Sequence, residues 1–367
     1  MAIIGVLLIA GIVYFLQGKY FREHWQRGLK VALYFQEKAV RAGGKCYLRE
    51  EVMNGKRMPL PALQVKFQAD SSFRFQEEKN AVTTDYYYRQ DLFSVGGRQK
   101  VTRKLEFVAG KRGYYQIPQL DVLVKDFLLQ SQYSMRMENE TALYVYPAKC
   151  DTSAFELFYR QIMGEFLARR CMEEDPFAFR GIREYRPKDS MRRVNWKSSA
   201  RTGKLLVNMF ETTFSQQVCI LLDGIPRSVF NRKKLQEASI SIASSVAGRL
   251  LADGIPVSFK TNLTDILTGE VIRVESGSGS RHGECLDRNL ARANTEAGGE
   301  DFLTIMKQGL EEVGKDVCCI VISGGWNEEM LKEWERLKQS GMELYGILPY
   351  CKEEETEIPR GICGWEV

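Results

Sequence analysis

An uncharged apolar run at the N-terminus limits the folds open to this chain more than any other stretch. Residues 2–16 carry no charged side chain and are followed by Lys19. As a helix this run would rise roughly 22 Å, and Met1 with the flank up to Tyr20 extends it toward the ~30 Å of a bilayer core. A cleaved signal peptide requires a basic residue before the run and a small-residue cleavage site after it, and the sequence has neither. We therefore predict an uncleaved transmembrane anchor at residues 1–18, with a signal peptide as the alternative.

Basic residues dominate the stretch that follows this run. Seven of them lie between Lys19 and Lys45, against two acidic residues. Because positively charged flanks stay on the cytoplasmic side, we expect a single-pass protein of the cell membrane whose bulk lies in the cytoplasm. The nine cysteines, odd in number and without a Cys-x-x-Cys pair, agree with a reducing compartment. Apolar residues near helical spacing predict a basic amphipathic helix over residues 19–45, lying on the membrane surface or packed on the next domain.

Short alternating apolar and polar runs replace the helical pattern over residues 46–148. The run from Leu63 to Ala69 alternates in this way, and another from Val101 to Val108 is followed by Gly110. Turn residues such as those at 54–55 separate the runs. This pattern predicts a small antiparallel domain similar to a β-sandwich, and no cluster of catalytic residues stands out in it.

Strand and helix patterns alternate in the C-terminal part of the chain. The near-continuous apolar runs at 217–223 and 316–323 are typical of buried parallel strands. We predict an α/β domain over residues 211–350, with an open parallel sheet and helices on both faces, followed by a tail at 351–367. Ligands bind beyond the carboxyl ends of the strands in such sheets, so Asp223 is a candidate metal ligand. A carboxylate that only caps nearby backbone amides is the alternative.

The most densely charged stretch, residues 181–203, falls within a segment at 149–210 that begins with a predicted helix. It holds seven basic residues, two acidic residues and two aromatic residues. The guanidinium fork of arginine suits carboxylates and phosphates, and aromatic faces can hold it. The candidate functional residues are Arg183, Tyr185, Arg186, Asp189, Arg192, Arg193, Trp196, Lys197, Ser199 and Arg201.

Three roles are open for residues 181–203: a junction between the β-rich and α/β domains, a docking surface for a protein, or the phosphate- or nucleic-acid-binding site of an enzyme. The net charge of only +5, the two histidines and the missing phosphate loop argue against the third role. We therefore predict no catalytic residue and no nucleic-acid partner. At a junction, Trp196 would be the packed centre, and Trp196→Ala would weaken folding. An unchanged melting temperature with lost partner binding would indicate a docking surface.

The same stretch resembles the bacterial family known as domain of unknown function 58. The family pattern is matched at Arg183, Tyr185, Pro187, Asp189, Arg192, Arg193, Trp196, Lys197, Ser199, Ala200, Arg201, Gly203, Leu205 and Val207. Upstream, the stretches at 112–114 and 126–127 are similar to a second family element. The resemblance implies a membrane-anchored cytoplasmic scaffold or interaction protein whose C-terminal part is similar to a von Willebrand factor A domain. It also implies a MoxR-type AAA+ ATPase as partner, in assembly or envelope-related processes, and no established enzymatic activity.

The chain departs from the metal-binding form of that A domain. That form places two serines shortly after the aspartate, whereas here the position of the second serine is occupied by Arg227. A later strand that would normally end near Ser-Asp-Gly is followed here by Ser323, Gly324 and Gly325. One carboxylate near an arginine is a poor cation site. We therefore expect no cofactor, magnesium at Asp223 being the exception that stays open.

Overall fold

The structure is a computed structural model, and it describes residues 2–76, 80–150, 153–170, 179–187, 189–210, 217–225, 232–313, 317–352 and 357–367. The chain divides into two compact units. The N-terminal unit comprises Met1–Ala148 together with Leu290–Arg292. The C-terminal unit comprises Lys149–Asn289 and Ala293–Val367.

The N-terminal unit begins with helix α1, Ala2–His24. Its segment Ile3–His24 is long and apolar enough to cross a membrane. Large apolar side chains along the described part of the helix, such as Ile9 and Phe15, are exposed, as expected of a helix that would be covered by lipid.

The prediction of an amphipathic helix over residues 19–45 is wrong beyond the end of α1. Strand β1 occupies Leu29–Phe35 and strand β2 occupies Ala39–Arg41. The physical reason is a period of two in β1, where Leu29, Val31, Leu33 and Phe35 are buried while the residues between them are more exposed. A helical period can be fitted to such a short apolar segment, but the sheet pairing decides the structure.

Among the described residues, ten further strands complete the β-rich unit. They are β3 (Lys45–Asn54), β4 (Leu60–Asp70), β5 (Phe73–Phe75), β6 (Ala81–Thr83), β7 (Tyr86–Val95), β8 (Gln99–Ala109), β9 (Gly113–Gln116), β10 (Gln119–Lys125), β11 (Gln132–Glu138) and β12 (Ala142–Tyr146). Two sheets are antiparallel, with strand orders β1-β3-β8-β5 and β11-β10-β4-β7-β6. A third has the order β2-β12-β9, with β2 and β12 parallel. One hydrophobic core joins Leu48 and Phe107 of the first sheet to Val65 and Phe93 of the second, as in a sandwich.

This core also contains charged side chains. Glu50 on β3 occupies an inward position between Leu48 and Val52, and it is fully buried. On β7, Arg89 and Asp91 are both buried, and the Nε atom of Arg89 donates to Oδ2 of Asp91 at 2.5 Å. Burial, and after it the negative charge of Asp91, raise the pKa of Glu50 to about 8. Within the described residues, neither carboxyl oxygen of Glu50 has a hydrogen-bond partner.

The C-terminal unit alternates helices and strands. Its elements are α2 (Ser153–Arg170), β13 (Phe179–Glu184), α3 (Trp196–Thr202), β14 (Leu206–Phe210), β15 (Val218–Leu222), α4 (Arg232–Ala252), β16 (Val257–Asp265), β17 (Val271–Gly277), α5 (Ser280–Ala291), β18 (Ala293–Gly298), α6 (Phe302–Val313), β19 (Cys318–Ile322), α7 (Glu328–Gln339), β20 (Leu344–Tyr350) and β21 (Ile362–Glu366). Strands β13 and β14 form a separate antiparallel pair.

The large sheet has the strand order β17-β16-β15-β19-β20-β21, and β18 also pairs with β16. Strands β16, β15, β19, β20 and β21 run parallel, whereas β17 and β18 are antiparallel to β16. The sheet is therefore mixed rather than entirely parallel. The prediction of a tail at 351–367 is wrong for Ile362–Glu366, because these residues form β21, which extends the sheet by pairing with β20.

Helices cover the central strands from both sides. All five residues of β15 and of β19 are buried, which requires cover on each face of the sheet. Helices α6 and α7 pack on the face that carries Cys219 and Val321. Helix α4 contacts β15, β16 and β20, and we assign it to the other face. The prediction of helices on both faces agrees with this packing.

Candidate functional site

Residues 181–203 fold around the strand pair β13 and β14. The two strands are antiparallel, with Arg183 opposite Val207 and Glu184 opposite Leu206. Beyond the paired residues, the backbone amide of Tyr185 donates to the carbonyl oxygen of Leu205 at 2.9 Å. The intervening chain, including α3, is therefore a long connection closed at its base by strand pairing. Lys188, one of its seven bases, lies outside the described residues.

A bidentate ion pair organises the first half of this connection. The two terminal nitrogens of Arg183 each donate to one oxygen of Asp189, both at 2.6 Å. The backbone amide of Arg186 donates to Oδ2 of the same carboxylate at 2.7 Å. The Arg183 hydrogen bonds, and then the Arg186 amide, lower the pKa of Asp189 to about 2. Arg183 and Asp189 are thus engaged with each other and shape the loop.

A second set of hydrogen bonds fixes α3 against β14. Asn195 caps the helix, because its Oδ1 atom accepts from the amide of Ser198 at 3.0 Å. The Nδ2 atom of Asn195 donates to Oδ1 of Asn208 on β14 at 2.8 Å. Ser199 is buried, and its hydroxyl oxygen accepts from the amide of Leu206 at 2.8 Å. The helix ends at Gly203, whose φ of 70° suits glycine.

The outward side of α3 carries exposed residues that are not part of the contacts between α3 and β14. Trp196, Lys197, Ala200 and Arg201 lie at positions i, i+1, i+4 and i+5, which share one side of a helix, and all four are exposed. We call these four residues the α3 face. Within the part of the chain that the structure describes, no ion pair involves the side chains of Lys197, Arg201 or the nearby Arg192.

Trp196 contradicts the sequence-based expectation. Its side chain is 62% exposed, so it is not a packed centre, and the hydrogen bonds that hold α3 come from Asn195 and Ser199 instead. Of the other candidates, Arg186, Arg192 and Arg193 are exposed and Tyr185 is half-buried. The ten predicted residues therefore divide into a structural set, which includes Arg183, Asp189 and Ser199, and an exposed set around the α3 face.

Asp223 lies at the carboxyl end of β15, as predicted, and is buried. Its Oδ1 atom accepts from Nδ2 of Asn262 on β16 at 2.9 Å. Its Oδ2 atom accepts from the hydroxyl of Ser323, which follows β19, at 2.8 Å. The amide of Ile225 also donates to Oδ1, at 3.1 Å. Asp223 therefore links the ends of three adjacent strands.

The surroundings of Asp223 do not fit a cation. The Oδ1 atom of Asn262 accepts from the amide of Gly224 at 2.8 Å, so the NH₂ group of Asn262 must point at Asp223. A hydrogen-bond donor thus faces Asp223 where a metal-binding site would offer a further oxygen ligand. Among the described residues there is no group of three or more His, Cys, Asp or Glu side chains suited to a metal. Arg227 lies outside these residues.

The family model described as "Protein of unknown function DUF58" matches residues 181–360. The match begins at Gly181 within β13 and extends through the large sheet as far as the segment before its last strand, β21. Residues 181–360 of the chain are therefore a DUF58 segment. The resemblance drawn from the pattern between Arg183 and Val207 is confirmed.

A curated relative of this DUF58 protein is "Uncharacterized protein YeaD" of Bacillus subtilis, which is 24% identical over 246 residues. The alignment covers 64% of this chain and 56% of the relative, so the chain spans little more than half of the relative's length.

Solved structures give only weak similarity. A CARDB domain from Pyrococcus furiosus covers 32% of this chain and 94% of its own, at 10% identity and a TM-score of 0.19. A cohesin from Archaeoglobus fulgidus covers 36% of this chain and 97% of its own, at 10% identity and a TM-score of 0.23. Scores this low do not establish a shared fold.

Sequence reasoning missed two residues that shape the DUF58 segment. Asn195 and Asn208 were not among the candidates, although their contact joins α3 to β14. The cap could have been found, since an asparagine directly before a short helix is a common N-cap. The contact with Asn208 could not, because it depends on the pairing of Val194 with Val207 of β14.

Proposed function

We propose that this DUF58 protein is a membrane-tethered interaction protein whose bulk lies in the cytoplasm, and that the α3 face docks an acidic surface of a partner protein. The observation that carries the proposal is the exposed Trp196 on a helix fixed by capping and buried hydrogen bonds. Helix α1 supplies the tether, since it is long and apolar enough to cross a membrane.

The composition of the α3 face supports a role in docking. Tryptophan and arginine are the residue types most enriched among those that dominate binding energy at protein interfaces. A tryptophan held on a rigid helix loses little conformational entropy on binding, which favours affinity. An exposed tryptophan that contributes nothing to the core would otherwise be a solubility cost without a benefit.

Charge defines the chemistry of the partner. Lys197 and Arg201 on the α3 face, with the nearby Arg192, place positive charge around the indole of Trp196. The guanidinium of Arg183 does not add to this charge, because it is already paired with the carboxylate of Asp189. A protein surface that carries aspartate and glutamate around an apolar pocket complements this arrangement.

We further propose that the partner is a MoxR-type AAA+ ATPase and that the large sheet is an A-domain-like module of a scaffold without catalytic activity. The DUF58 resemblance suggests this partner and a role in assembly or envelope-related processes. The sheet supports the scaffold role, since Asp223 is occupied in linking β15, β16 and β19. We expect no resident cofactor at Asp223.

The test uses the full-length protein in lipid nanodiscs and a purified MoxR-type ATPase from the same genome. Trp196→Ala and Arg201→Glu should each weaken binding and raise the dissociation constant by about tenfold or more. Lys307→Glu is the matched control, because Lys307 is also an exposed base but lies on α6. Binding is measured by biolayer interferometry on immobilised nanodiscs.

The melting temperature of the same variants separates docking from folding. Trp196→Ala should change the free energy of unfolding by less than about 0.5 kcal/mol, as surface substitutions usually do. A clear loss of stability would show instead that Trp196 holds the fold together. Equal binding by wild type, both α3 variants and the control would refute docking through the α3 face.

A further inference from the structure

A second apolar feature of the N-terminal unit lies outside its core. The connection between β10 and β11 spans residues 126–131, and Phe127, Leu128 and Leu129 form its tip. The side chains of Leu128 and Leu129 are 52% and 54% exposed, and that of Phe127 is also exposed. We call these three residues the 127–129 tip. Three consecutive exposed apolar residues in a short loop are uncommon on a surface that faces only water.

The loop holds this tip in one conformation. Asp126 is buried, and its Oδ1 atom accepts from the amide of Gln130 at 2.9 Å. The amide of Leu129 donates to the carbonyl oxygen of Asp126 at 3.0 Å, and the amide of Asp126 donates to that of Ser131 at 3.1 Å. The tip is therefore a hydrogen-bonded turn rather than a loose end.

Leu129 occupies a backbone conformation that leucine rarely adopts. Its φ is 58°, in the left-handed region where glycine and asparagine are favoured. A leucine is kept at a position where a smaller residue would fit the backbone better, although its side chain contributes little to the core. The turn thus holds the Leu129 side chain outward at the surface.

Contacts with α1 set the position of the tip. The hydroxyl of Tyr14 donates to Oε1 of Gln130 at 3.1 Å. Phe21 packs edge-on against Phe127, with ring centroids 5.3 Å apart. Tyr133, at the start of β11, lies against both Phe21 and Trp25, at centroid distances of 5.9 and 6.2 Å. The loop thus runs along α1 from the level of Phe21 to that of Tyr14.

The level of Tyr14 lies inside the uncharged part of α1. Tyr14 precedes Lys19, the first charged residue of the helix, by five positions, which corresponds to about 7.5 Å along the axis. Lys19 and Arg22 mark the end of α1 that would meet lipid headgroups. The Gln130 side chain beside Tyr14 is therefore deeper than the headgroups whenever α1 spans a bilayer, while Phe127 beside Phe21 lies near the level of the headgroups.

We infer that the 127–129 tip inserts into the cytoplasmic leaflet beside α1 and forms a second contact of the N-terminal unit with the membrane. The inference rests on the proposed role of α1 as a membrane tether. The lipid acyl chains are the occupant that fits, because the tip is uncharged and lies alongside a lipid-facing helix. With two contacts, the β-rich unit is held in a fixed orientation against the bilayer instead of swinging on a single helix.

The experiment measures membrane depth at three positions of the full-length chain. A fluorescent amino acid is incorporated by codon suppression at position 9, 82 or 128, and each protein is reconstituted into phosphatidylcholine–phosphatidylglycerol nanodiscs. Quenching is then compared between discs with and without acyl-chain spin-labelled lipid. Ile9 and Leu128 are exposed residues of α1 and of the tip.

Val82 is the matched control for an exposed apolar residue of the same unit. It lies on β6 opposite Tyr88, which is opposite Gln68 on β4. In the register of β4 with β10, Gln68 lies opposite residue 119, which is six positions before the end of β10. Val82 is therefore about 20 Å from the tip along the strand direction.

Severalfold stronger quenching at 9 and 128 than at 82 is the expected result. Quenching at 9 without quenching at 128 would overturn the insertion of the tip while leaving the α1 tether intact. Absence of quenching at 9 would refute the tether itself, and the inference that rests on it would then fall as well. Equal quenching at 82 and 128 would overturn the inference, because it would show no preferred depth for the tip.

Discussion

The two units bury a carboxyl group in opposite ways. Glu50 lies in the core of the β-rich unit, and among the described residues neither of its oxygens finds a hydrogen-bond donor. Asp223 lies at the end of the parallel strands, and its oxygens accept from Asn262, Ser323 and the Ile225 amide. Burial is similar at the two sites, so the difference lies in the donors supplied by neighbouring strands.

This difference decides what each carboxyl group can do. Without donors, burial penalises the charged form of Glu50, and the negative charge of Asp91 adds to the penalty. With donors from separate strands, Asp223 becomes a structural link. Asp189 adds a third case, since its partners Arg183 and Arg186 lie in its own loop near the protein surface. The same functional group therefore destabilises, links strands or shapes a loop according to its neighbours.

The largest expected effect concerns Glu50 and pH. Its pKa is about 8 in the folded protein against an ordinary value of 4.5, so the folded state favours the protonated form. Stability should therefore fall as pH rises from about 4.5 to about 8, by on the order of a few kcal/mol. Glu50→Gln should remove this slope. Hydrogen exchange of the β3 and β7 amides in the solubilised full-length chain measures the effect.

The control for Glu50 is Glu275→Gln, which removes an exposed carboxylate on β17. This variant should keep the pH slope of the wild type in β3 and β7. If Glu50→Gln keeps the same slope as well, Glu50 is ionised in the folded core and the contrast with Asp223 fails.

A smaller loss is expected for Asp223→Asn. The amide that replaces the carboxylate presents an NH₂ group to Asn262 or Ser323, so one buried hydrogen bond to a charged acceptor is lost or must reverse its direction. The cost should be about 1–3 kcal/mol, seen as a lower melting temperature in scanning calorimetry. Glu275→Gln again serves as the control and should leave the melting temperature unchanged.

Metal addition sharpens the same comparison. Because an amide donor faces Asp223, millimolar magnesium or manganese should leave the melting temperature of the wild type unchanged. Saturable binding by titration calorimetry that disappears in Asp223→Asn would show that the site opens to a cation, and Asp223 would then be more than a link between strands.

The smallest effect is expected at Asp189. Its pKa is lowered to about 2 by Arg183 and Arg186, so its contribution is present above pH 3.8 and lost as pH falls through about 2. Asp189→Asn should speed pepsin cleavage of residues 184–195 at pH 4, and the difference from wild type should vanish near pH 2.

Glu184→Gln is the matched control, because its partner Lys204 is exposed and such pairs contribute little. Equal cleavage of all three proteins at pH 4 would show that the Arg183 fork does not hold the loop.

Part of this site could be read from local sequence. The family pattern singled out Arg183 and Asp189 as candidate residues, and the structure joins them in an ion pair that the sequence analysis did not predict. The role of Trp196 could not be read in the same way. An indole among arginines fits a buried stack and an exposed surface equally well, and only the positions of Asn195 and Ser199 on the opposite side of α3 turn it outward.

The sequence alone determined the apolar helix at the N-terminus, the apolar runs that became β15 and β19, and the family that residues 181–360 match. These features are encoded by residues close together in the chain, where hydrophobic period and motif spacing act directly. The tertiary structure decided that residues 29–35 and 362–366 join sheets, and that Asp223 meets partners 39 and 100 positions away. Such contacts follow from strand register and burial, which are properties of the assembled sheets and not of any one segment.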